Sequence, residues 1–274
     1  MGSTICCDNR AVSSLRSSGA YRTFRRTLRR AAHPRELAFQ RRVRRGFESR
    51  FLDDPSALAV YEEEIRESGL LEHVREKRKE YDAIVGAAGG DGYTPGGIGL
   101  AERTYLYAIL RTLKPNVAVE TGVANGFSTA FALLALERNG DGHLYSIDFP
   151  REIGRDEEGA FFEGTGKAGI PPKSTSGWLV PEHLRERWTL RLGRSQDELP
   201  PLLESLGTVD SFMHDSEHSF DCMWFEFTSA WPRLREGGVL ISDDVNSTEA
   251  FARFAREQGR EPIPIGHGMA FLVK

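Results

Sequence analysis

The run Glu120-Thr-Gly122-Val-Ala-Asn-Gly126-Phe-Ser128 sets two glycines between an acidic residue and the start of a helical pattern. Glycine lets a backbone turn sharply and approach a ligand, and the helix N-terminus behind it favours negative charge. The run is not a P-loop, since no Gly-Lys-[Ser/Thr] follows, and it lacks a complete G-x-G-x-x-G. Asp148 closes the next β-type segment, where an acidic side chain can take both hydroxyls of a ribose. Further on stand Asp215, His218 three positions later, and the pair Asp243-Asp244. Carboxylates suit a hard ion such as Mg²⁺ and suit zinc poorly, while a histidine titrating near neutrality suits a general base. The stretch His214-Asp-Ser-Glu217-His218 also fits H-x-x-E-H, a zinc-protease signature. That site needs both histidines on one helical face, and Val209–Met213 has the pattern of a strand. His214 is therefore expected at a strand end, pointing away from His218, and the protease reading is set aside.

Alternating elements must position these residues. An apolar helical stripe (Leu100, Leu106, Ile109, Leu110, Leu113) stops at Lys114-Pro115. Then come strand 116–121, a glycine turn, a helix over 127–138, and strand 143–148. Residues 150–180 are rich in Gly, Pro and Ser without a period, which reads as an insertion loop. A short helix near 181–186 precedes strand 188–192, helix 197–206, strand 209–214, helix 219–234, strand 239–242 and helix 248–258. The tail, 262–265 and 269–273, looks like a closing hairpin. Strands alternating with helices imply an α/β fold, a parallel sheet with helices on both faces. In such sheets ligands bind beyond the C-terminal strand ends, where the residues above fall. Phe220, Trp224, Phe225 and Phe227 are expected to pack in the core.

The N-terminal third is organised differently. Residues 1–50 hold 13 Arg and no Lys against three acidic residues, while the remainder carries a net charge of −14. A basic arm on an acidic body suggests an anionic surface as partner: nucleic acid, a membrane, or the protein's own body. Within it Tyr21, Phe24 and Leu28 mark a short amphipathic helix. Helical pattern runs from Ser56 to Val85 with a break at Ser68-Gly69, and seven glycines fall among residues 86–99, a linker or lid. The expected divisions are thus 1–50, 51–92 and 93–274. The longest apolar stretch, 130–136, is too short to span a membrane. Three cysteines without C-x-x-C spacing exclude a disulfide scaffold and fit a reducing, cytoplasmic setting.

VETGVANGFST, LYSID, LRLGRSQDELPPL, DSFMHDSEHSF and GGVLISDDV resemble, in order, the motifs of class I S-adenosylmethionine-dependent methyltransferases. Among these they are most similar to metal-dependent O-methyltransferases acting on sugars and macrolide glycosides. The resemblance covers about residues 93–274. It implies a Rossmann-like seven-stranded sheet of order 3-2-1-4-5-7-6, preceded here by a helical extension. It also implies a cofactor held by Glu120, Gly122, Gly126, Ser128 and Asp148, with Arg194 and Ser195 on the adenine side. That strand order sets the ends at His214 and Ser242 side by side, so Asp215, Asp243 and Asp244 can converge on one ion, divalent in the family and suited by three carboxylates to Mg²⁺, with His218 as base. The implied acceptor is a hydroxyl on a sugar or glycosylated small molecule. A nucleic-acid methyltransferase or RNA-binding protein using the Arg-rich arm, a non-catalytic partner protein on the same fold, and a homo-oligomer remain open.

Overall fold

The computed structural model describes residues 34–87, 93–94, 96–153 and 167–274. The expected helix around Tyr21, Phe24 and Leu28 lies outside the described residues. Two compact units divide the chain, 1–45 and 46–274. Helix α1 (Pro34–Phe51) begins in the first and ends in the second. The second unit contains α2 (Ala57–Glu67) and α3 (Leu70–Ala87), broken at Ser68-Gly69, where Gly69 takes φ +77°. These two helices belong to the same compact unit as the sheet that follows.

That sheet has seven strands: β1 (Val117–Thr121), β2 (His143–Asp148), β3 (Trp188–Leu192), β4 (Val209–His214), β5 (Leu234–Ser242), β6 (Ile263–Pro264) and β7 (Ala270–Val273). Their order is 3-2-1-4-5-7-6, parallel except for β7, which runs antiparallel to both β5 and β6. Helices α4 (Leu100–Leu113), α5 (Phe127–Asn139), α6 (Ser195–Leu206), α7 (Phe220–Ala230) and α8 (Ala250–Glu257) complete the alternation. Alternation along β1 assigns the two faces, because successive side chains of a strand point opposite ways. Val119 joins the core formed by α6, α7 and α8, and Thr121 bonds Glu226 on α7. Glu120, between them, faces Ser128 and Thr129 on α5.

The helix expected over 219–234 ends at Ala230. Pro232 has no N–H to continue it, a 3₁₀ turn (Trp231–Arg233) follows, and β5 begins at Leu234. Phe227 packs in the core against Phe251 and Phe254 as expected, while Phe220, Trp224 and Phe225 are half-buried against it, the first two stacked on each other. The glycine-rich segment contributes a two-residue strand, Tyr93–Thr94, which pairs in parallel with Lys167–Ala168 of the insertion. Among the described residues, no helix is long and apolar enough to cross a membrane.

Candidate functional site

The C-terminal ends of β1, β2, β3 and β4 open onto a cavity of about 350 Å³, within the usual size of small-molecule sites. Its floor is Gly122, whose φ of +84° only glycine adopts freely. A Cβ here would lie 1.9 Å from the Asp215 carbonyl oxygen, so Gly122 lets the ends of β1 and β4 close together. The amide of Asp215 completes that closure by donating to Thr121 O at 2.8 Å.

Asp148 lines the cavity at the end of β2. One carboxylate oxygen, Oδ1, accepts from the Val123 amide at 3.0 Å. Oδ2 is buried and has no partner at hydrogen-bond distance among the described residues, although the Ser176 hydroxyl is near enough to ease its charge. Burial raises this carboxyl above the ordinary range. An orphaned acceptor inside a cavity fits a hydroxyl donor such as a ribose, because leaving it unmade costs free energy. Phe149 follows, 47% exposed although aromatic, with the Arg194 guanidinium 5.6 Å from its ring. Arg194, Ser195 and Gln196, at the start of α6, line the same end.

Three expected cofactor residues stand elsewhere. Glu120 is fully buried on the α5 face, outside the cavity lining, where Ser146 (2.7 Å), Thr129 (3.0 Å) and Ser128 (3.3 Å) donate hydroxyl hydrogen bonds to it. Burial pushes its pKa up to about 7, with the hydroxyls opposing. Ser128 therefore serves Glu120. Gly126 (φ +91°) starts α5, and a Cβ there would stand 2.8 Å from both Gly177 Cα and a Val180 methyl. What a side chain there would meet is thus the insertion that packs on it. Asn125 ties the same contact: its Nδ2 donates to Gly169 O at 2.9 Å, and its carbonyl and side chain accept from Leu179 and Trp178. Ile170 of this segment reaches the cavity.

At the β4 and β5 ends, Asp215, His218 and Asp243 offer donor atoms that all lie within 4.8 Å of one another. The strand pairing His214↔Ser242 sets Asp215 and Asp243 side by side just beyond it. Burial, then the neighbouring carboxylate, raises Asp215 well above the ordinary range. Burial and Asp244 push Asp243 to about 6. Two crowded carboxylates of raised pKa fit a divalent cation, whose charge would offset their repulsion. Asp244 stands apart from this trio. With φ +47° it turns outward, and its Oδ2 lies 3.6 Å from His218 Nε2. The donor set is thus two carboxylates and an imidazole, which favours Mg²⁺ over other divalent ions less than three carboxylates would.

His218 Nδ1 is buried without a partner among the described residues, and burial lowers the imidazole pKa to about 4, so the ring is neutral at pH 7. His214 does not point away from it. The two rings stand 5.4 Å apart, nearly perpendicular. What turns His214 inward is Glu226 on α7, twelve residues on, whose carboxylate meets His214 Nδ1 at 2.6 Å and also accepts from Thr121 and Ser216. Burial works against the Glu226 charge, but His214 and these donors offset it and hold the carboxyl below its ordinary range. Glu226 did not stand out in the sequence, since its pairing with His214 across twelve residues leaves no local spacing.

Residues 119–245 match the family model described as a methyltransferase domain. No curated protein matches the chain. Among solved structures it is similar to methyltransferase PaMTH1 of Podospora anserina, at 12% identity, with 81% of this chain and 96% of that one covered and a TM-score of 0.50. It is also similar to the O-methyltransferase TomG from Streptomyces achromogenes (18% identity, 86% and 98% covered, TM-score 0.49) and to the O-methyltransferase NovP (17%, 65% and 81%, 0.48). At this identity the likeness to PaMTH1 shows the fold alone. Residues 119–245 thus match a methyltransferase domain, and the sheet that contains them has the strand order 3-2-1-4-5-7-6 which the class I resemblance implies.

Proposed function

We propose that the chain transfers the methyl group of S-adenosylmethionine to a hydroxyl of a small molecule, with a divalent cation at Asp215 and Asp243 and with His218 as base. The observation that carries this reading is the double membership of Asp215, which lines the cofactor-sized cavity and also belongs to the Asp215–His218–Asp243 cluster. The donor cavity and an oxygen-handling cluster therefore adjoin. The cofactor supplies an electrophilic methyl on a positively charged sulfur. A cation held by the two carboxylates would supply Lewis acidity toward an acceptor oxygen.

The chain's own residues do the rest. The Asp148 Oδ2 would accept from the ribose, and Phe149 and Arg194 would flank the adenine. Methyl transfer is an in-line displacement, so holding both partners in line contributes most of the acceleration. His218 takes the hydroxyl proton, and Asp244, 3.6 Å from Nε2, then faces the charged ring. The motif resemblance supports a sugar or glycosylated small molecule as acceptor.

Incubation of the protein with methyl-labelled S-adenosylmethionine and small-molecule extracts, followed by mass spectrometry, tests this. Label should appear in an O-methyl product, and EDTA should abolish it. Label confined to nitrogen, to carbon or to nucleic acid would overturn the O-directed reading.

A further inference from the structure

Arg103, in the first turn of α4, carries a largely buried guanidinium that forms no ion pair with any described carboxylate. Its orientation is fixed. Nε donates to Ile98 O at 2.6 Å, and the group lies 4.7 Å from the Phe127 ring and 5.8 Å from that of Phe131. No described residue hydrogen-bonds its terminal nitrogens. Burial lowers its pKa to about 10, which leaves it charged at pH 7. Glu102 and Asp215 favour its charge through space, and the terminal donors, which no described residue bonds, are left for an anion.

The surroundings indicate which anion. Phe127, against which Arg103 stacks, is the first residue of α5, directly after the Gly122–Gly126 turn. The Asp215 carboxylate in the cavity lining is close enough to favour the charged guanidinium. If adenine lies by Phe149 and ribose by Asp148, the adenosine end occupies the β3 and β2 ends. The cavity continues from there across Gly122 to Asp215 at the β4 end, so the amino-acid end would run toward Asp215, whose charge reaches Arg103. That end carries a carboxylate, which a guanidinium can take through two parallel hydrogen bonds.

We propose that Arg103 binds the α-carboxylate of the methionyl group, so that α4 closes the end of the cofactor site opposite the adenine. The proposal rests on the methyltransferase reading above. Calorimetry with S-adenosylhomocysteine and with 5′-methylthioadenosine, which keeps the adenosine and sulfur but lacks the amino-acid carboxylate, tests it on the full chain. R103M should weaken S-adenosylhomocysteine about 10- to 100-fold, the range of a charge-assisted pair, and leave methylthioadenosine within about twofold. R103K keeps the charge without the fork, should fall between, and serves if R103M does not fold. Unchanged S-adenosylhomocysteine affinity in either folded variant, or equal loss of both ligands, would overturn the assignment while leaving the methyltransferase reading in place. A wild-type protein that binds neither ligand would overturn both.

Discussion

Gly122 and Asp215 touch through their backbones: the position a Cβ would take on Gly122 is 1.9 Å from the Asp215 carbonyl oxygen. The glycine therefore joins two halves of the site, since Asp215 belongs to the acidic cluster and Gly122 to the cavity floor. Gly122→Ala must open the β1–β4 junction or tilt it, on top of the strain of φ +84° in a residue with a side chain. We expect a loss of roughly 2–4 kcal/mol in chemical denaturation together with lost S-adenosylhomocysteine binding. A variant of wild-type stability would show that the junction relaxes at little cost.

Gly126 should behave differently despite sitting in the same motif. Its missing side chain makes room for Gly177 and Val180, not for the cavity. Gly126→Ala should therefore lower the melting temperature and raise protease sensitivity in the segment around residues 169–180, with loss of cofactor affinity tracking loss of structure. Selective loss of affinity in a variant with wild-type melting would instead place a ligand against this position.

Asp148→Asn separates charge from shape. The Asn side-chain oxygen can still accept from the Val123 amide, but the amide NH₂ cannot accept from a ribose. Affinity for S-adenosylhomocysteine should fall about tenfold or more, while thermal stability holds or rises because a buried charge is gone. Undiminished affinity measured by calorimetry would remove Asp148 from the ribose site.

Glu120 gives a pH signature. Its folded pKa, raised by burial to about 7, exceeds the ordinary carboxyl value of 4.5, so between these values the folded protein binds more protons than the unfolded one. Stability must then fall as pH rises through that window, by about 2 kcal/mol between pH 5 and pH 8 for this group. Glu120→Gln keeps the size and removes the titration. Urea denaturation of both proteins should show the variant gaining on the wild type as pH rises. Parallel pH curves would mean that the hydroxyl cage holds Glu120 ionised throughout.

The strands were legible because each is a short apolar run closed by a turn or an acidic residue. The ends of β2, β3 and β4 fall where residue type changes, at Asp148, Leu192 and His214. The order of the sheet and the meeting of Asp215 with Asp243 followed from the motif resemblance. Sequence could not say which of two adjacent aspartates faces inward, since that is decided by the left-handed backbone of Asp244. It could not assign the constraint on Gly126, which comes from an aperiodic segment about fifty residues downstream. The orientation of His214 depends on Glu226 across a strand-to-helix contact. Arg103 was hidden for a compositional reason: one arginine among thirty carries no signal until its burial is seen.

The acidic cluster yields the prediction most exposed to test, because the two aspartates of Asp243-Asp244 should part company. Asp243 offers its carboxylate to the same point as Asp215 and His218, whereas Asp244 lies beside His218 and outside that trio. In calorimetric titrations with Mg²⁺ and Mn²⁺, Asp215→Asn and Asp243→Asn should each weaken the ion by at least about tenfold, since even groups that only support a ligand contribute that much. Asp244→Asn should hold the ion nearly as well as wild type and instead shift the pH dependence of turnover, through its contact with the imidazole. His218→Ala discriminates between base and ligand. As a base it should leave ion affinity intact and slow turnover by about 10²–10⁴-fold under conditions where chemistry limits the rate. As a third ligand it should lose the ion as the aspartate variants do. Equal effects of Asp243→Asn and Asp244→Asn on ion affinity would mean that the cation draws Asp244 inward and that the site is the three-carboxylate one which the motif resemblance implies.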